Sequence, residues 1–269
     1  MPRIPVTKTP KVYIGGAFVR SESARTFKIS GADGAFFANI PQCSRKDLRN
    51  AVEAAAKAGP GWARRTAYNR AQILYRLAEM IEARSEELVG SLVRFGAAPA
   101  DAAKGLSVCV DRLIHYAGWA DKYEQLLGSV NPVASRHFNF TVTEPMGVVG
   151  IIAPESPPLL GLVSMLAPVS ASGNTVVALA SEKFPYPAIL LGEMLATSDL
   201  PGGDVNLLTG FRRELIPTFA THAHLRAIYA SADGEERRAL RLGAAASVKR
   251  VRFVEERGAG WNADAAEGL

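Results

Sequence analysis

The sequence is poor in the residues that build staples and metal centres. It has two cysteines, Cys43 and Cys109, in 269 residues. Two are too few for a disulfide framework, and this pair makes no metal-ligand cluster. The histidines are His115, His137, His222 and His224, with no carboxylate-rich partner motif beside them. No metal site is expected. No apolar run reaches membrane-spanning length, and the opening Met1-Pro2-Arg3-Ile4-Pro5 lacks the apolar stretch of a signal peptide. The expected location is cytoplasmic, with no membrane partner. No G-x-G-x-x-G follows a strand candidate and no G-x-x-x-x-G-K-[ST] occurs, so the two commonest phosphate-cradling loops are missing. The net charge is +5 with a pI near 9.3, but no nucleic-acid motif accompanies it. Arg237, Arg238, Arg241, Lys249, Arg250 and Arg252 are read as a solvated helix face followed by an edge strand, and no nucleic-acid partner is expected.

What is present is a well-patterned core, 48% hydrophobic. Residues 1–10 are Pro-rich and basic and read as an arm. Residues 11–135 read as a hairpin and a helical part. In the hairpin, Lys11 to Arg20, short apolar runs flank Gly15-Gly16. Short extended pieces follow over 26–41. Ser44 and Asp47 form a capping-box-like pair at a helix start, with Leu48, Val52 and Ala55 at helical spacing. Gly59-Pro60-Gly61 is expected to stop that helix. Helical stripes continue over Asn69–Arg84 and Glu86–Phe95, and a single long helix is expected over Asp101–Leu127. Cys109 lies on its apolar stripe with Leu113 and Tyr116 and reads as packing. Within 136–146, Phe138, Phe140 and Val142 alternate with polar residues, which predicts a half-buried strand with one wet face.

Over 147–256 the pattern becomes strand and helix in strict alternation. Strands are expected at Val148–Ala153, Thr175–Ala180, Val205–Leu208, Ala227–Ala230 and Arg250–Val254. Helices are expected at Leu159–Ser172, Tyr186–Ser198, Glu214–His222 and Glu235–Ala246. Continuously apolar strands with helices between them imply a parallel sheet covered on both faces. The fold class is therefore α/β: a Rossmann-like five-stranded parallel sheet, with ligands expected off the strand C-termini. Residues 257–269 read as a tail.

From Glu144 to Gly210 the chain resembles the nucleotide-binding half of an aldehyde dehydrogenase. The matching pieces are "EPMGVVGIIAP", "LAPVSASGNTVV", "SEKFPYPAILLGEML" and "LPGGDVNLLTG". Upstream, "IGGAFV", "DLRNAVEAAAKAGPGW", "NRAQILYRLAEMIEARSEELV" and "DRLIHYAGWADK" follow the family's order, so the likeness covers roughly residues 11–256. It implies NAD(P)-dependent oxidation of an aldehyde through a cysteine thioester. It also implies N-terminal helices, and that the strand in 136–146 belongs to a small β-flap used in oligomerisation.

Carried over residue by residue, the resemblance implies a degenerate site. The family turn Ala-Pro-Trp-Asn-Phe-Pro is Ala153-Pro154-Glu155-Ser156-Pro157-Pro158 here. Pro154 is kept, but Ser156 replaces the asparagine that helps hold the oxyanion, and a hydroxyl offers a single donor at shorter reach. Leu179 replaces the lysine that binds the cofactor ribose. Glu182, an acid that often shares that contact, is kept, and so is Gly210. The family's phosphate-binding helix start becomes Ala230-Ser231-Ala232-Asp233-Gly234-Glu235-Glu236-Arg237. There Asp233 is a strong N-cap and would satisfy the N–H groups itself. The general-base position aligns with Val254, with Glu255 adjacent and pointing to the other face. The nucleophile of the family lies in a later catalytic module, and no cysteine follows Cys109.

The expectation is therefore a pseudoenzyme, like the degenerate second module of two-module aldehyde dehydrogenases. No catalytic residue and no bound cofactor are expected. Its partners would be a second copy of itself or an active aldehyde dehydrogenase. Two other readings stay open. One is an NAD(P)-dependent component whose catalytic module is supplied in trans. The other is a small-ligand module in which Glu155, Glu182 and Asp233 face a cationic or polyhydroxy ligand.

Overall fold

A computed structural model describes residues 8–254 of the chain. Residues 1–7 of the expected arm, Glu255 and the 257–269 tail lie outside the described residues. The N-terminal hairpin is β1 (Val12–Ile14) and β2 (Ala17–Val19), and a second two-stranded unit is β3 (Thr26–Ser30) with β4 (Phe36–Pro41). Helices α1 (Arg45–Ala63), α2 (Ala67–Ala83), α3 (Ser85–Arg94), α4 (Pro99–Trp119) and α5 (Tyr123–Leu127) follow. A small pair, β5 (Ser129–Val130) and β6 (Phe140–Thr141), precedes the core.

The core alternates as β7 (Val148–Ile152), α6 (Pro158–Ala171), β8 (Thr175–Leu179), α7 (Tyr186–Leu195), β9 (Val205–Leu208), α8 (Arg212–Thr221), β10 (Leu225–Ser231), α9 (Gly234–Ala245) and β11 (Arg250–Val254). The order across the sheet is β11-β10-β7-β8-β9-β1-β2. The five expected strands are parallel to one another. β7, β8 and β9 are buried along their whole length, as strands covered on both faces must be. α1, α8 and α9 pack one face of the sheet; α6 and α7, backed by α2 and α4, pack the other.

The structure corrects four expectations. The sheet has seven strands, because the hairpin adds antiparallel to β9 through Tyr13 opposite Leu207. The Asn206 side chain fixes this join: it accepts from the Gly15 N–H at 2.8 Å and donates to the carbonyls of Val176 and Gly203. The turn needs Gly16, whose φ is +84° and where a Cβ would stand 2.7 Å from Gly202 Cα.

Helix α1 does not stop at Gly59-Pro60-Gly61 but runs through it. Its last turn is anchored by the buried Trp62, whose indole N–H donates to Ser170 O at 3.0 Å, and this outweighs the one amide that proline lacks. The single long helix divides into α4 and α5, where the Ala120 and Lys122 N–H groups bond three residues back and tighten the turn. In the flap, only Phe140–Thr141 of the expected strand pairs, and it has no buried face: Phe138, Phe140 and Val142 are 75%, 57% and 64% exposed.

Local signals held where their partners are near in sequence. Ser44 accepts from the Lys46 N–H, and Asp47 accepts from the Ser44 N–H at 2.6 Å, closing the capping box. Cys109 is fully buried, and burial pushes its thiol far up. Cys43 is also buried, with its thiol raised to about 12. Arg237 and Arg241 lie over the Phe253 ring at 5.2 Å, and β11 is an edge strand. No helix among the described residues is long and apolar enough to cross a membrane.

Candidate ligand crevice

Four loops meet off the C-terminal ends of the parallel strands. They connect β7 to α6, β8 to α7, β9 to α8 and β10 to α9. Between them lies a cavity of about 850 Å³, lined in part by Glu155, Glu182, Lys183, Arg212, Asp233 and Glu236. With Arg213 and Arg237, which also line it, the charged groups number four of each sign. The crevice is thus not the acidic pocket that Glu155, Glu182 and Asp233 alone imply.

Each acid already has a partner within the chain. Glu155 folds the next loop around itself, accepting from Ser181 Oγ at 2.6 Å and from the backbone N–H groups of Glu182 and Lys183 at 3.2 and 2.9 Å. Glu182 accepts from the Arg212 backbone N–H at 2.8 Å and so caps α8 from a neighbouring loop. Asp233 accepts from the Glu236 N–H at 2.9 Å, while Glu236 reaches back to the Asp233 N–H at 3.1 Å. Asp233 is the N-cap that the sequence implies, and the return bond from Glu236 makes it a capping box. Glu155, Glu182 and Asp233 all line the crevice as expected, and a cation of the chain itself, Arg212, sits between the loops beside them.

Arg212 was missing from the sequence reading. Its guanidinium donates to Ala153 O at 3.1 Å, to Ser231 O and to Glu155 at 3.3 Å. Two parallel bonds of 2.8 Å run to the two oxygens of Glu236. The signal available was positional: Phe211-Arg212-Arg213 directly follows the glycine turn at a strand end, where such sheets hold ligands. The sequence pattern instead starts this helix at Glu214, two residues after its observed start at Arg212.

The other candidate positions do not converge on the cavity. Pro154 is buried on the first turns of α6, so close that a Cβ at Gly161 would stand 2.1 Å from its Cγ. Ser156 is exposed. Leu179 is fully buried and presents no polar side-chain atom. Gly210, with φ +149°, is buried against the backbone of Cys43, where a Cβ would meet the amide nitrogen at 3.2 Å. Val254 ends β11 opposite Ser231 and packs on the apolar core. No group of three or more His, Cys, Asp or Glu among the described residues could hold a metal ion.

A model of the aldehyde dehydrogenase family matches residues 18–258. A 2-hydroxymuconic semialdehyde dehydrogenase of Pseudomonas sp. (strain CF600) is 32% identical over 253 residues, covering 91% of this chain and 52% of that one. Retinal dehydrogenase 2 of Mus musculus is 33% identical over 225 residues, covering 80% and 42%. Among solved structures, an NAD+ complex of an aldehyde dehydrogenase from Bacillus cereus superposes with a TM-score of 0.87 at 27% identity, covering 91% of this chain and 50% of that one. The chain spans about half the length of the curated relatives it matches.

Proposed function

The chain belongs to the aldehyde dehydrogenase family, and we propose that within it this segment is a non-catalytic subunit that assembles with itself or with an active aldehyde dehydrogenase. The observation that carries the reading is the start of α9. In a doubly wound sheet this is a place for a phosphate, held by open N–H groups and the positive end of the helix dipole. Here Asp233 takes the Glu236 N–H and Glu236 takes the Asp233 N–H, and Glu235 adds a third carboxylate to the first turn. The neighbouring residues fit a dinucleotide no better: Leu179 is buried and apolar where the resemblance implies a ribose-binding lysine. We therefore derive no step through NAD or NADP.

Assembly is supported by the flap. The Phe138 and Phe140 rings lie 5.3 Å apart at a tilt, and with Val142 and Val130 they expose an apolar surface beside a strand edge unpaired among the described residues. The test is affinity purification of the protein from its native host, with light scattering on the product. A homo-oligomer or a co-purifying dehydrogenase supports the reading; a monomer without a partner sinks it.

A second reading is favoured by the family match over residues 18–258. In it, the chain is the NAD(P)-dependent part of an aldehyde dehydrogenase whose catalytic module is supplied in trans. Fluorescence titration with NADH separates the two. Saturable binding favours the second reading, and none at millimolar cofactor favours the first.

A further inference from the structure

One guanidinium fills the place where the four crevice loops meet. Arg212 is the first residue of α8, and its side chain reaches across the strand ends. Its partners come from every neighbouring loop. The loop after β7 supplies Ala153 O and Glu155, the end of β10 supplies Ser231 O, α9 supplies Glu236, and the loop after β8 supplies Glu182 to the Arg212 backbone. The side chain is largely shielded from water, as are those of Glu155 and Glu236. Two carboxylates in such a place would repel each other without a cation between them. A planar fork with five donors matches two carbonyls and two carboxylates at once, whereas an ammonium presents three donors from a single point.

We propose that Arg212 is an internal cation that ties the four loops together from within the chain, with the cavity of about 850 Å³ open beside it. The loops are then ordered without any ligand, and this does not depend on whether the protein assembles or with what. The partners left behind on removing the side chain form a site of defined chemistry, two carbonyls and two carboxylates shaped for a guanidinium ion.

The experiment is chemical rescue of Arg212→Ala, read by thermal unfolding. The variant is expected to melt about 10 °C below the parent, the size of effect that follows from leaving shielded carboxylates without their cation in a chain of this length. Millimolar methylguanidinium is expected to restore much of that loss, and equal methylammonium or sodium to restore little. Adding Glu155→Gln and Glu236→Gln to the variant is expected to abolish the rescue. If Arg212→Ala does not fold, Arg212→Lys carries the same comparison, since it keeps a charge and loses the fork. Melting within about 2 °C of the parent, less than the shift from one kcal/mol in a chain this long, overturns the proposal. So does rescue by methylguanidinium no better than by methylammonium. Oligomeric state, which tests the proposed function, is measured separately and decides neither outcome.

Discussion

The two edges of the central sheet treat buried charge in opposite ways. At the C-terminal edge, Glu155, Glu182 and Glu236 are each met by a guanidinium or a backbone N–H. At the N-terminal edge, Asp204 precedes β9 at 2% exposure, and neither of its carboxyl oxygens has a hydrogen-bond partner among the described residues. Burial raises its pKa to about 7, opposed by the charge of Arg65, while the Tyr13 phenol on β1 is raised first by burial and then by the charge of Asp204. One edge pairs its carboxylates with donors from neighbouring loops. The other keeps a carboxyl by holding its proton. The lesson is that an acid in the interior of this fold is tolerated by either route, and the routes differ in what solution conditions undo them.

The largest expected effect breaks the paired edge. Arg212→Ala should lose about 3–5 kcal/mol of stability in denaturant unfolding, since it leaves two shielded carboxylates without their cation. The next acts on the unpaired edge through pH. Between about pH 4 and pH 7 the folded protein holds a proton on Asp204 that the unfolded chain has released, so stability falls as pH rises through this window and levels off above it. Unfolding curves from pH 4 to 8 should show that fall, and Asp204→Asn should flatten it; an unchanged slope in the variant would refute the assignment. Asp233→Ala removes the α9 cap and should cost about 1 kcal/mol, read as a melting shift of about 2–4 °C. The smallest effect on stability is expected at the flap. Phe140→Ser should change it by less than about 0.5 kcal/mol, because the ring is already largely in water. The same variant should nonetheless weaken assembly in sedimentation, if the flap is the contact surface.

How much of this was legible in the sequence follows from how far apart the partners lie. The capping box at Ser44 and the N-cap Asp233 act over three residues, and both were readable. The apolar strands of the parallel core were readable as well, because burial on both faces leaves a continuous run. Arg212 was not readable, since its partners lie from 19 to 59 residues away and belong to separate loops. Trp62 bonds a carbonyl 108 residues on, so Gly59-Pro60-Gly61 looked like a terminator when it is the inside of a helix. The flap misled for the opposite reason. Its alternation is genuine, but nothing in the described chain covers the apolar positions.

The carboxamide of Asn206 has a consequence for the order in which the chain takes shape. It holds the Gly15 amide, 191 residues earlier, and the strand it locks has no other place in the sheet. A ribosome releases that hairpin long before β9 exists to receive it, at roughly 5–20 residues per second. Val12–Ile14 is therefore synthesised well before its partner strand β9 and can be seated beside it only after β9 has emerged.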